Sequence, residues 1–504
     1  MNVSPPVMKK RLVTYVKWAI EWLADAANGK LLQPGEPYEL PDFSRKLLGD
    51  SLPEGVTLLF SETKETYDKW KSYIGKNGKV ECFYGKDING LFACRFFDDK
   101  DNVIYETKFN KINLRDRKYL ATWILLPDIR YKRHRPVQTY KEITELCKNS
   151  NMDFYDIFLH AWDIERHPNM GRLLIGFPIP ELYNEDTVEI HWQPLIFENF
   201  SAQHKKYKKN YSKLWRKLIA NGDFSPQKQL PWGKSKNIAY DRLYVRGGHE
   251  ATFKTKNIAI FGCGAIGSLV AELLVRGGLQ TLYLFDYDSV EFGNLCRHTL
   301  DGRDFNNFKS KALAKRLASV NPMADIKAYT FDIPEHLVNS KLLENIFSDI
   351  NLFIDCTTSE AAFQWLDDYA GKHSKDMITM FINFYAEFLT LIISGSKNSC
   401  STIFQDLIYC IKERQSPISY EEYSREPSEE EKILEGAGCW HATFPALNCH
   451  INVLVSAAVD IINKHIAHNT GRGLAVIIKR NVLSEKNMIY PYSIIEIKWL
   501  KAYE

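Results

Sequence analysis

No other stretch limits the fold of this chain as much as Asn257-Ile258-Ala259-Ile260-Phe261 followed by Gly262-Cys263-Gly264-Ala265-Ile266-Gly267. Five apolar or neutral residues without polar alternation fit a parallel strand covered on both faces. The G-x-G-x-x-G run that follows permits a tight turn, and Ser268 to Arg276 reads as a helix. The pattern repeats downstream. Thr281 to Phe285 is a second strand, Ser310 to Val320 a helix, Ile326 to Phe331 a strand and Leu352 to Ile354 another buried strand. This alternation predicts an α/β domain of the doubly wound, Rossmann-like kind.

The same residues carry chemistry. Gly262, Gly264 and Gly267 let the backbone approach a phosphate, and the helix N-terminus supplies N–H donors and partial positive charge. Asp286 ends the next strand, at the spacing of a carboxylate that binds a ribose hydroxyl. These residues alone would fit NAD as well as ATP. The run from Asp286 through Asp288 to Asn294, Arg297 and His298 is not a dehydrogenase pattern. Lys309 then precedes the helix that runs into Asn321-Pro322. Two cations suit a triphosphate, whose charge must be offset while an α-phosphate is attacked. NAD chemistry needs no such pair.

Taken in order, these motifs resemble the ThiF-like adenylyltransferases, the fold shared with ubiquitin-activating enzymes. The resemblance covers roughly Tyr240 to Ile462. The N-L-x-R-H form at Asn294 to His298 resembles a divergent bacterial branch found in antiphage ubiquitin-like conjugation systems. The resemblance implies an enzyme that uses ATP and Mg²⁺ to adenylate the C-terminal carboxylate of a ubiquitin-like or sulfur-carrier protein. It implies that Gly262, Gly264 and Gly267 hold the phosphates, that Asp286 binds the ribose, and that Asn294, Arg297 and Lys309 contact the triphosphate, with Asp288 in the same nucleotide site. It also implies a homodimer in which Arg242 reaches the partner subunit's ATP; Arg246 is the rival. A conjugating enzyme would be a further partner.

One departure concerns the metal. The family follows its next strand with D-C-T-D-N, whereas this chain has Asp355-Cys356-Thr357-Thr358-Ser359. Asp355 matches the first aspartate and is the candidate Mg²⁺ ligand, but Thr358 replaces the second. A neutral hydroxyl is a poorer Mg²⁺ ligand than a carboxylate. Either Asp355 or Asp288 takes over, or the metal site is weakened. No C-x-x-C pair is present, so no structural zinc is expected.

Ten cysteines are dispersed along the chain, without disulfide-type spacing. Cys439 stands out. It lies in Gly436-Ala437-Gly438-Cys439-Trp440-His441, after the glutamate-rich stretch Tyr420 to Glu435 and before an apolar helix from Asn452 to Ile462. Flanking glycines let the backbone open around the sulfur, and a helix approach or His441 would favour the thiolate. By position and by its G-C-x-x-x-T-F pattern, Cys439 resembles the thioester-forming cysteine of ubiquitin-activating relatives. The other nine thiols are expected to be structural.

The first half reveals shape more than chemistry. Lys9 to Ala27 reads as an amphipathic helix, and Val56 to Phe109 as strands of a mostly antiparallel sheet. Helices at Tyr140 to Lys148 and Asp153 to Trp162 follow, then strands at Leu173 to Pro178 and Val188 to Phe197. This could be the α+β fold of ubiquitin-conjugating domains. His167-Pro168-Asn169 matches a tripeptide of that fold, yet no cysteine follows until Cys263, so the tripeptide is coincidence or a catalytically dead relic. The basic segment His204 to Lys217 reads as a solvated helix face. Expected domains are 1–220, an α+β accessory domain, a linker at 221–236, and an adenylation domain at 237–504.

Lys and Arg number 65 against 62 Asp and Glu in 504 residues, a net charge of +3. That balance argues against a nucleic-acid or membrane-surface protein. With no leader pattern and no apolar run of membrane-spanning length, a reduced cytoplasmic protein is expected. Two other readings stay open: an NAD-dependent Rossmann oxidoreductase, which leaves Arg297 and Lys309 unexplained, and a non-catalytic nucleotide-binding scaffold, motivated by Thr358.

Overall fold

The computed structural model describes residues 5–28, 30, 34–41, 43, 57–86, 88–107, 109–132, 135–158, 170–198, 225–331, 333, 341–426, 428, 433–434, 442–443, 446–468, 471–480 and 492–497. The chain forms two compact units. One comprises Met1–Thr107 and Arg115–Ala239, the other Lys108–Leu114 and Tyr240–Glu504. The basic segment His204 to Lys217 and the tripeptide His167-Pro168-Asn169 lie outside the described residues.

In the first unit, helix α1 (Pro5–Ala27) forms where an amphipathic helix is expected. Its apolar side chains Val16, Trp18 and Trp22 stay exposed. The sheet uses β1 (Thr57–Phe60), β2 (Lys76–Gly85), β3 (Gly90–Phe97), β4 (Val103–Glu106), β5 (Leu114–Leu125), β6 (Met170–Pro180), β7 (Thr187–Glu198) and β8 (Ser235–Asn237). Their order is β8-β1-β3-β2-β5-β6-β7, with β4 on β3. The pairs β2/β3, β3/β4 and β6/β7 are antiparallel, the first two within the stretch expected to be mostly antiparallel. The pairs β8/β1, β1/β3 and β5/β6 are parallel, so the sheet is mixed. Residues alternate between its faces. Along β5, Trp123 and Leu125 join a cluster with Trp70 of helix α2 (Lys64–Trp70), whereas Ile124 faces Ile143 and Cys147 of helix α3 (Tyr140–Asn149).

The second unit contains β9 (Asn257–Phe261), α4 (Ala265–Arg276), β10 (Thr281–Phe285), α5 (Lys309–Val320), β11 (Asp325–Tyr329), α6 (Lys341–Ser348), β12 (Leu352–Asp355), α7 (Glu360–Lys372), β13 (Asp376–Ile382), β14 (Phe388–Ile393), α8 (Cys400–Lys412), α9 (Asn448–His468), β15 (Leu474–Arg480) and β16 (Tyr492–Ile497). The sheet order is β11-β10-β9-β12-β13-β14-β15-β16. The first five strands are parallel, and the last three are added antiparallel, so this sheet too is mixed. Both faces are covered. Ile258 and Ile260 pack with Val270 of α4, Leu317 of α5 and Leu454 of α9. Ala259 and Phe261 pack with Phe347 of α6, Leu366 of α7 and Leu407 of α8. From β9 the chain builds outward through β10 and β11, then returns to β12 on the other side. The crevice at the ends of β9 and β12 is thus a topological switch point, where open α/β sheets bind ligands. Among the described residues, no helix is long and apolar enough to cross a membrane.

A buried carboxyl organises the tryptophan cluster of the first unit. Glu62 Oε1 accepts from the indole N–H groups of Trp70 (3.0 Å) and Trp192 (2.9 Å). Its Oε2 is hydrogen-bonded to Thr66 Oγ1, which lies 2.9 Å from the Thr63 carbonyl. Burial pushes the Glu62 pKa up to about 8, against an ordinary value near 4.5. The Thr66 hydroxyl donates to Oε2, and this bond and the two indole bonds oppose the shift. Because the folded value is raised, this group's stabilising contribution is complete below about pH 4.5 and fades as pH rises towards 8. Glu62→Gln is neutral throughout. It is expected to lose less stability than the wild type between about pH 5 and about pH 9, in denaturant titrations read by tryptophan fluorescence. Equal losses in both proteins would show that Glu62 is ionised in the fold.

Candidate nucleotide site

The three loop glycines are needed for three different reasons. Gly262 has φ +83°, and a Cβ there would lie 2.8 Å from the Cys356 carbonyl oxygen and 2.9 Å from Thr357 Cα. A side chain would be strained and would also strike the backbone beyond β12. A Cβ on Gly267 would fall 1.8 Å from the Gly262 carbonyl oxygen, so the first turn of α4 crosses directly over the loop. Gly264 is the N-cap of α4, and a Cβ there would meet nothing within 4 Å. The space in front of the helix N-terminus is therefore open on the side where the helix dipole favours an anion.

Asp286, at the end of β10, braces this loop. Its Oδ2 accepts the Cys263 N–H at 2.6 Å and its Oδ1 accepts the Asp288 N–H at 2.8 Å. Burial still pushes its pKa up, with the two amides opposing the shift. Each oxygen keeps a second lone pair, so the carboxylate can also receive a ribose hydroxyl.

Asp288 and Lys309 form the charged rim. Lys309 begins α5, its N–H donates to the Asp288 carbonyl at 2.8 Å, and its ammonium pairs with the Asp288 carboxylate at 2.9 Å. The Lys309 side chain is 12% exposed and that of Asp288 49%. Asn294 sits in the 3-10 turn Phe292–Cys296, where its Oδ1 accepts the Glu291 N–H at 3.0 Å. Arg297 caps that turn, half-buried.

His298 closes the N-L-x-R-H run without a role of its own in the motif reading. It is buried, its Nδ1 accepts the Leu300 N–H at 3.1 Å, and its Nε2 lies 2.6 Å from the Cys263 carbonyl oxygen. The only sequence signal was its place directly after Arg297.

On the other side of the crevice, Asp355 is buried and engaged by three donors. Its Oδ1 accepts the Thr357 N–H (3.0 Å) and hydroxyl (2.7 Å), and its Oδ2 accepts the Thr379 hydroxyl (3.0 Å). Burial raises its pKa as well. Thr358 adopts φ +58°, unusual for a β-branched residue, and its hydroxyl donates to the Thr357 carbonyl at 2.6 Å. No group of three or more His, Cys, Asp or Glu among the described residues could hold a metal ion. Mg²⁺ seeks octahedral oxygen donors. The Thr358 hydroxyl, turned to the Thr357 carbonyl, supplies no ligand there, whereas Asp355 Oδ2 keeps one acceptor position and would be the protein contact for an Mg²⁺ bound mainly by the nucleotide.

The remaining predicted residues lie elsewhere. Arg242, in the short helix Tyr240–Leu243, and Arg246 are exposed. Cys439 and His441 lie outside the described residues, between the paired strands Ile433–Leu434 and Ala442–Thr443. Among the nine described cysteines, Cys82, Cys94, Cys147, Cys263, Cys356, Cys400 and Cys410 are buried, as a structural role requires. Burial pushes the Cys94 and Cys147 thiols up to about 12. Cys296 and Cys449 are exposed instead.

Residues 236–431 match the ThiF family, and residues 29–238 match the Cap2 central linker domain. An ATP-dependent ubiquitin transferase-like protein Cap2 from Enterobacter hormaechei is 26% identical over 462 residues, 88% of this chain and 72% of that protein. A protein of the same description from Pseudomonas aeruginosa is 34% identical over 122 residues, 23% of this chain and 21% of its own. Ubiquitin-like modifier-activating enzyme 5 of Bombyx mori is 35% identical over 99 residues, 20% of this chain and 25% of its own. The chain spans nearly three quarters of the first relative and a quarter or less of the other two. Together the glycine loop, its braced aspartate and the two family matches identify an enzyme of the ThiF adenylyltransferase superfamily, in which a Cap2-type linker domain precedes the ThiF domain.

Proposed function

We propose that this protein uses ATP to adenylate the C-terminal carboxylate of a ubiquitin-like or sulfur-carrier protein, then takes the acyl group onto Cys439 as a thioester. The observation that carries the reading is the open space before the Gly264 N-cap, with the Cys263 amide held by Asp286 and Lys309 anchored through Asp288. In this reading the five parallel strands and their helices are the Rossmann-like core of an adenylation domain.

The triphosphate lies against the amides of the glycine loop, and the ribose against Asp286. The modifier carboxylate attacks the α-phosphorus, the bond to the bridging oxygen breaks, and pyrophosphate leaves. Lys309 and Arg297 offset the negative charge that gathers in that transition state. Asp288 uses one of the three donors of the Lys309 ammonium, so the other two can reach phosphate oxygens. Mg²⁺, with Asp355 as the residue that would hold it, would supply further charge compensation for the triphosphate. The product is a mixed anhydride with AMP as leaving group. The Cys439 thiolate attacks its carbonyl carbon, AMP departs, and a thioester remains. One difficult transfer becomes two easier ones. The family resemblance supports a homodimer in which Arg242 or Arg246, both exposed, serves the partner subunit's nucleotide. A conjugating enzyme is the next acceptor, in a cytoplasmic antiphage conjugation pathway.

Arg297→Ala and Lys309→Ala are each expected to lower ATP–pyrophosphate exchange with a candidate ubiquitin-like protein by about 100-fold or more. Retained exchange would remove the residue from the site. Cys439→Ala is expected to abolish a thiol-reducible adduct between the two proteins on denaturing gels. An adduct that survives the substitution would rule out Cys439 as the nucleophile.

A further inference from the structure

Cys263 is held at both of its backbone polar groups. Its N–H donates to Asp286 and its carbonyl meets His298, each at 2.6 Å. The proton inventory of His298 follows from its other neighbour. A backbone N–H can only donate, so Nδ1, which receives the Leu300 N–H, carries no proton. A neutral ring then carries its proton on Nε2 and donates it to the Cys263 oxygen. The pKa of His298 is lowered to about 4, by burial first and also by Lys309 and Arg316, with the hydrogen bond to Cys263 and Asp304 opposing. The imidazole therefore stays neutral around pH 7.

This bond has a consequence across one peptide plane. In a trans peptide the carbonyl of Cys263 and the N–H of Gly264 point in opposite directions. Fixing the carbonyl on His298 turns the Gly264 N–H away from the imidazole. Gly264 is the N-cap of α4 and borders the open space in front of that helix. The loop that carries Asn294 and Arg297 thus sets the orientation of an amide in the glycine loop, although His298 and Cys263 are 35 positions apart.

We propose that His298 is a positioning residue for the nucleotide, its Nε2–H holding the Cys263 carbonyl so that the Gly264 amide is aimed at the triphosphate. The proposal rests on the reading of the glycine loop as a triphosphate cradle. His298 itself touches neither substrate nor reacting atoms; it acts through the loop backbone.

Calorimetry on the full chain with ATP and, separately, with adenosine tests it. Loss of one buried hydrogen bond corresponds to roughly a tenfold effect. His298→Ala is expected to weaken ATP binding by about tenfold while changing adenosine binding by less than about twofold. Two conservative variants separate the two hydrogen bonds and serve if the alanine variant does not fold. The amide of His298→Gln reaches the place of Nε2 and is expected to keep ATP binding within about threefold of wild type. His298→Asn can accept from Leu300 but falls short of Cys263, and is expected to behave like alanine. Nitrogen-15 spectra of histidine-labelled wild type should show the neutral Nε2–H tautomer at about pH 7. Equal losses for ATP and adenosine, no rescue by glutamine, or a proton on Nδ1 would overturn the role of His298. A wild-type chain that binds adenosine but gains nothing from the phosphates of ATP would overturn the triphosphate reading itself, a distinct result.

Discussion

One buried carboxylate ties the nucleotide crevice together. Asp286 accepts an N–H from the glycine loop after β9 and another from the turn after β10. Removing a carboxylate from water is expensive unless donors replace the water. Here two backbone amides do so, and they belong to the two loops that must stay in register. The second amide is that of Asp288, whose carbonyl and carboxylate both hold Lys309. A run of backbone hydrogen bonds thus carries the position of the strand end out to the cation at the rim. The phosphate side of the site rests on main chain anchored to a closely packed sheet, which leaves little room for the loop to settle in another shape.

The opposite wall of the crevice has different chemistry. Asp355 is engaged by three donors from Thr357 and Thr379, and Thr358 occupies a backbone region that β-branched residues rarely adopt. Strain of this kind persists where surrounding structure over-determines it. The Gly262 contact with Cys356 and Thr357 supplies that constraint, because the loops beyond β9 and β12 touch with no room for a Cβ. The wall built on the Lys309–Asp288 ion pair and the wall built on Asp355 make the crevice asymmetric, and in the proposed function charge compensation of a nucleotide falls to the side that carries Lys309 and Arg297.

Much of this was legible in the sequence because the signals are local. Five residues of β9, three glycines and Asp286 announce a strand, a phosphate turn and a strand-end carboxylate within thirty positions, each through chemistry that no other arrangement needs. The strands β14, β15 and β16 carry no such announcement. The apolar runs of β14 and β15 say that these two are buried, but an antiparallel return onto a parallel sheet is settled by partners far along the chain. Distance also hid Glu62, whose indole partner Trp192 lies 130 positions away. It hid the role of His298 and the internal engagement of Asp355 by Thr379, both of which depend on which backbone the fold brings close. Cys439 stands where the sequence set it, on chain position and residue pattern, since it lies outside the described residues.

The central claim is that this crevice activates a polypeptide carboxylate by transfer of the nucleotide's α-phosphate. Incubating the protein and a candidate ubiquitin-like protein with ATP labelled either in the α- or in the γ-phosphate tests it in one measurement. The account predicts that with Cys439→Ala the α-label becomes bound to the C-terminus of the ubiquitin-like protein as an adenylate, that with the unaltered protein it leaves as AMP once Cys439 takes the acyl group, and that γ-label leaves as pyrophosphate in both. Release of ADP, or transfer of the γ-label to the polypeptide, would contradict it.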